Sequence, residues 1–198
     1  MPTGSGFIYL IYNKINSLWI RLLWNSQRKR LKKIGTKSKV ANIPKILGCK
    51  YIEIGDNFYC GNDVRIEAWD CYMDQQFTPH VSIGNHVTFT DRCHLSCVNR
   101  ITIADGVLLG RDVFIADNSH GDSRSLEMLS LPPIKRPLTS KGPVTIGNNV
   151  WIGRQTTILS GVTIGDNTII GANSVVNKNI PANCLAAGTP VKIIKIIE

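Results

Sequence analysis

Across most of this chain, aliphatic residues return at every sixth position. Five segments superimpose without gaps: YIEIGDNFYCGNDVRI (51–66), HVSIGNHVTFTDRCHL (80–95), RITIADGVLLGRDVFI (100–115), PVTIGNNVWIGRQTTI (143–158) and GVTIGDNTIIGANSVV (161–176). The recurring positions are Ile54, Cys60 and Ile66; Ile83, Phe89 and Leu95; Ile103, Leu109 and Ile115; Ile146, Ile152 and Ile158; Ile164, Ile170 and Val176. A smaller side chain often stands two places earlier, as at Val64, Cys93, Val113, Thr156 and Ser174. An amphipathic helix needs apolar spacings of three and four, and a half-buried strand needs two. A spacing of six, with Gly, Asn and Asp recurring between the apolar positions, means a short strand, a corner and another strand. Three units close one triangular coil. Stacked coils share a core that no single coil could bury. The expectation is an all-β chain wound as a parallel β-helix.

The repeat is interrupted twice. Equivalent positions Ile52, Val81, Ile101, Val144 and Val162 are separated by 29, 20, 43 and 18 residues. Three six-residue units account for only the last of these gaps. Extra chain therefore leaves the scaffold near residues 70–80 and, at length, over 121–143. A long loop in a compact scaffold is usually functional or disordered, and insertions in a solenoid cluster on its binding face. Even stacking would bring Glu67, Trp69, Asp70, Arg100 and His120 to one side of the prism beneath the long loop. Trp69, Asp70 and Arg100 are the candidate substrate-binding residues.

His120 sits in the polar turn ADNSHGD (116–122), just before the long interruption. Imidazole titrates near working pH and can take a proton from an attacking hydroxyl. It needs an acceptor on its other nitrogen, which Asp117, Asp122 or a backbone carbonyl could supply. A backbone N–H at a corner or in the loop would serve a developing oxyanion.

From about residue 50 onward the pattern resembles the hexapeptide-repeat acyltransferases, most closely from TIGNNVWIG through AAGTPVKII. These residues are similar to the maltose, galactoside and polysaccharide O-acetyltransferases. The resemblance implies a left-handed β-helix, an exception to the usual crossover hand. It implies acetyl-CoA as donor, a sugar hydroxyl as acceptor, a homotrimer, and His120 as the catalytic base. In the same way it assigns Trp151, Ala172, Lys178, Lys192 and Lys195 to coenzyme A. Surface polysaccharide synthesis is the expected setting. A small free acceptor, an amino sugar and a non-enzymatic scaffold are the alternatives. No metal is expected: a zinc hydratase of this fold would need three histidines, and His86, His94 and His120 occupy dissimilar coil positions.

The charge is unevenly placed. Residues 1–52 hold eleven Lys/Arg and no acidic residue, while the other 146 hold twelve basic and fourteen acidic groups. The +9 net charge therefore does not call for a nucleic-acid partner. Residues 1–45 are read as a basic helical segment and 46–198 as the β-helix domain. Apolar positions 8, 11, 12, 15, 18, 19, 22 and 23 form a helical stripe followed by NSQRKRLKK. That suits either a cap on the open β-helix or peripheral membrane contact through residues 7–33. No secretory signal or spanning segment is evident, so a cytoplasmic protein is expected, peripheral to the inner membrane face if the helix binds lipid. The six cysteines follow no zinc or redox spacing and read as small buried thiols.

Overall fold

The computed structural model describes residues 4–197, with side chains from residue 14 onward, so stripe positions 8, 11 and 12 lie outside the described side chains. After helix α1 (Gly4–Arg28) the chain winds as a parallel β-helix with three faces. The first face holds Ile52–Ile54, His80–Ile83, Arg100–Ile103, Val144–Ile146 and Thr163–Ile164. The second holds Tyr59–Cys60, Thr88–Phe89, Leu108–Leu109, Trp151–Ile152 and Ile169–Ile170, and is extended by Cys184–Ala187 and Lys192–Ile196. The third holds Arg65–Ala68, His94–Cys97, Phe114–Ala116, Thr157–Ile158 and Val175–Val176.

Register follows the six-residue spacing. Ile54, Ile83, Ile103, Ile146 and Ile164 pair in one continuous ladder on the first face. These side chains and the smaller residues two places earlier are buried almost completely, so each coil contributes to one uninterrupted core. Phe58 and Phe89 meet edge to face inside it, with ring centroids 5.2 Å apart.

Corners explain the polar residues between ladder positions. Among the described residues eleven non-glycine corner residues, Asn57, Asp63, Asn149 and Asn173 among them, turn the chain at φ of 54–61°. Asn and Asp tolerate this left-handed region better than other side chains. Glycine two places before such a residue lets the coils close up. A Cβ at Gly153 would stand 2.5 Å from the Ala172 amide nitrogen. These turns make the corners between the first and second faces and between the second and third. The remaining corner, from third face to first, lacks them, and both interruptions leave there.

The scaffold also begins earlier than expected. Residues 1–45 do not form one helical segment. Lys33–Ile34, Lys39–Val40 and Lys45–Leu47 pair in parallel with the next coil. Ile34, Val40 and Ile46 keep the six-residue spacing. Their lysine neighbours and half-exposed positions at the end of the stack weaken the signal.

Candidate active site

The first interruption is a short antiparallel hairpin, Cys71–Tyr72 with Gln75–Gln76. The second is an arm whose ends pair antiparallel, Ser119 with Thr139 and His120 with Leu138. Between them lie a one-turn helix, Leu126–Leu129, capped by the Ser125 hydroxyl, and a 3-10 turn, Pro133–Lys135. The hairpin grips the arm through side chains. Gln75 donates its amide N–H to the Leu138 carbonyl (3.1 Å) and accepts from the Leu138 N–H (2.6 Å). Leu138 is the strand partner of His120, so Gln75 fixes the strand against which the candidate base is paired.

Tyr72 completes the clamp. Its hydroxyl donates to the Ile134 carbonyl at 2.6 Å and stands 3.3 Å from His120 Nδ1. A carbonyl can only accept, so the single phenolic proton is committed to Ile134. The Tyr72 oxygen then accepts from His120, which puts the imidazole proton on Nδ1 and leaves Nε2 with a free lone pair. The rings meet edge to face, with centroids 5.4 Å apart.

His120 is exposed and lines two cavities. One, about 220 Å³, is walled by Glu67, Trp69, Tyr72, Ser96, Asn118, Ile134 and Leu138. It offers an aromatic ring beside a carboxylate, an amide and a hydroxyl. Glu67 is held by His94 Nε2 at 3.1 Å and Lys45 Nζ at 3.7 Å. The other cavity, about 380 Å³, carries Asp122, Arg124, Arg136 and Lys141.

The acidic partners expected for His120 do not serve it. Asp117 is fully buried and accepts from the Val98 N–H (2.8 Å), the Asn99 N–H (2.9 Å), the Cys97 thiol (3.2 Å) and the Asn118 amide (3.2 Å). It anchors the turn from inside. Asp122 is taken by Arg124, whose guanidinium and backbone N–H hold its carboxyl at about 2. The Gly121 N–H beside His120 is taken by the Pro137 carbonyl, so it is no free oxyanion donor.

Of the candidate substrate residues, Trp69 joins the His120 cavity and two do not. Asp70 turns away to Lys50 (3.0 Å) and the Tyr51 hydroxyl (3.2 Å), which together depress its carboxyl. Arg100 opens the first face opposite His80, because Val98 and Asn99 carry the chain round the corner before it. One reading of the cysteines also changes: Cys71 is exposed while the other five thiols are buried. His94 is half-buried against Phe114 and Glu67.

The coenzyme candidates lie elsewhere. Leu108, Trp151, Ile169, Leu185 and Lys195 form one outward row across the second face. Trp151 and Lys195 stand three strands apart, about 14 Å, with Ile169 and Leu185 between them. Lys192 pairs with Ala187 on the same edge, Ala172 forms the corner after Ile170, and Lys178 is exposed beyond Val176. Among the described residues no cluster of His, Cys, Asp or Glu could hold a metal ion. Tyr72, Gln75, Ser96, Asn118 and Leu138 were not singled out from the sequence. For Tyr72 and Gln75 the one signal was the excess chain near residues 70–80; Asn118 lies in the ADNSHGD turn, Leu138 in the long interruption, and Ser96 on a regular coil strand.

The bacterial transferase hexapeptide (six repeats) family matches residues 143–178. WbbJ of Escherichia coli (strain K12), assigned as a lipopolysaccharide biosynthesis O-acetyl transferase, is 35% identical over 147 residues, 73% of this chain and 71% of that protein. A galactoside acetyltransferase in complex with coenzyme A is 30% identical, with a TM-score of 0.60 over 87% of this chain and 68% of its own. A hexapeptide-repeat acetyltransferase from Vibrio cholerae O1 biovar eltor, complexed with acetyl coenzyme A, is 25% identical, with a TM-score of 0.60 over 88% and 76%.

Proposed function

The chain belongs to the hexapeptide-repeat acetyltransferases, left-handed β-helix enzymes that use acetyl-CoA, and we propose that it O-acetylates a sugar of a bacterial surface polysaccharide with His120 as base. The observation that carries this reading is the Tyr72–His120 contact, which leaves Nε2 free beside a cavity lined by Trp69 and Glu67. An indole face stacks on the C–H side of a sugar ring, and a carboxylate accepts from its hydroxyls.

His120 Nε2 takes the proton of the acceptor hydroxyl as its oxygen attacks. The same imidazolium returns a proton to the departing sulfur. Tyr72 holds the ring in the required tautomer throughout, and Gln75 holds the strand behind it. Acetyl-CoA supplies the acetyl thioester. The outward row on the second face fits such a donor: Trp151, Ile169 and Leu185 offer an apolar track for a pantetheine arm, and Lys195 a cation for phosphate.

The donor track and the base lie on opposite sides of one chain. The second face is the side of the triangle away from the corner that carries His120. A second copy must therefore bring its second face to this corner, which supports a closed homotrimer with the site between subunits. Exposed Tyr59, Leu108 and Trp151 on that face suit such a contact.

The test is coenzyme A thiol release from acetyl-CoA with lipid-linked and soluble saccharides as acceptors. The wild type should respond to one acceptor class, and His120→Ala should lower kcat by ~100-fold or more with the fold intact. Unchanged turnover in His120→Ala would overturn the base assignment.

A further inference from the structure

Helix α1 uses only part of its surface to dock on the prism. Trp24 is buried against the first coil, with Ile20 and Gln27 half-buried beside it. The seam is imperfect: Trp24 Nε1, Gln27 Oε1 and Ser38 Oγ are buried without a hydrogen-bond partner. On the other side Ile15, Leu18, Trp19, Leu22 and Leu23 stand 52–60% exposed. At a helical pitch these five share one face, about 140° round from the docked residues. Lys14 and Arg21, at seven-residue spacing, line one flank of that stripe, while Arg28 farther along it is half-buried and donates to the Gly35 carbonyl (3.3 Å).

We propose that this face of α1 lies on an anionic phospholipid surface. Charge selects the occupant. The first 52 residues hold eleven cations and no anion, so a stripe on this segment is framed by one sign of charge. A second copy of α1 would bring like charges together, whereas an anionic leaflet complements them at about 1 kcal/mol per cation. An exposed tryptophan between aliphatic residues, bordered by Lys and Arg, matches a helix lying in the headgroup layer. None of the described helices is long and apolar enough to cross a membrane. The helix leads directly into the first coil, so the prism would stand on the lipid by its N-terminal end. An acceptor carried on a lipid would then be presented at the same surface.

The full chain is mixed with large vesicles of phosphatidylcholine alone, or of phosphatidylcholine and phosphatidylglycerol in equal parts, and pelleted. Binding to the anionic vesicles only, released by salt, is the expected result. The double variant Lys14→Gln, Arg21→Gln should bind roughly thirtyfold more weakly. Leu18→Glu with Leu22→Glu should abolish binding while the thermal midpoint holds. The proposal fails if the wild type stays in the supernatant with anionic vesicles, or if both variants pellet as it does. It also fails if the Leu18→Glu, Leu22→Glu protein dissociates in sedimentation velocity and wild-type binding is absent, which would give the stripe to a second copy.

Discussion

The stacked coils and the two segments that leave their third corner are built on different principles. In the coils, backbone N–H and carbonyl groups pair from one turn to the next, and the same apolar positions fill the core at each level. Any one contact has many equivalents. The hairpin and arm have few backbone pairs and are held by single side chains: Gln75 on Leu138, Tyr72 on Ile134 and His120. The scaffold is redundant and the site is not. Stability and activity should therefore fail separately.

The strongest break is expected inside the coils. Phe89→Ala removes a fully buried ring packed on Phe58 and should cost about 3–5 kcal/mol, read as a fall in thermal midpoint with kcat unchanged below the transition. Asp117→Ala sits at the boundary. It strips the acceptor from the buried Val98 amide and the part-buried Asn99 amide and should cost about 2–4 kcal/mol, lowering stability and acetyl transfer together. Loss of activity alone would return Asp117 to a catalytic role. Tyr72→Phe probes the arm. Without the phenolic oxygen nothing holds the proton on Nδ1, so kcat should fall about tenfold while the midpoint stays put.

The smallest effect is a pH dependence. Asp91 is held at about 2 by the Asn62 N–H and by Arg111, and Asp122 at about 2 by Arg124. Both folded values lie below the ordinary 3.8, so their stabilisation is complete above pH ~4 and is lost as pH falls towards 2. Asp91 ties coil to coil, whereas Asp122 ties only the arm to itself. Asp91→Asn should flatten the acid limb of midpoint against pH, and Asp122→Asn should leave it unchanged, because a local element can open without the whole. Equal effects would show that the arm unfolds with the prism.

Much of the prism was legible from spacing alone, because stacking forces every coil to repeat the same inward positions. His120 could be picked out for a related reason: it stands where the repeat stops. Its partners could not. Asp117 and Asp122 were nearest in the chain, yet one serves buried amides and the other a neighbouring arginine. Tyr72 is 48 residues away from His120, and its claim on the imidazole arises only when the hairpin folds across the arm.

The first coil at 33–47 kept the six-residue spacing and was hidden by lysines. That spacing is a backbone constraint written at every turn, so the sequence by itself determined the fold, its core positions and the corner where it opens. Tertiary structure decided which side chains meet in that opening. Such meetings depend on the paths of two unlike segments, for which no periodic rule exists. It also decided that Trp151 faces away from His120, since direction round a triangle emerges only once the coil is closed.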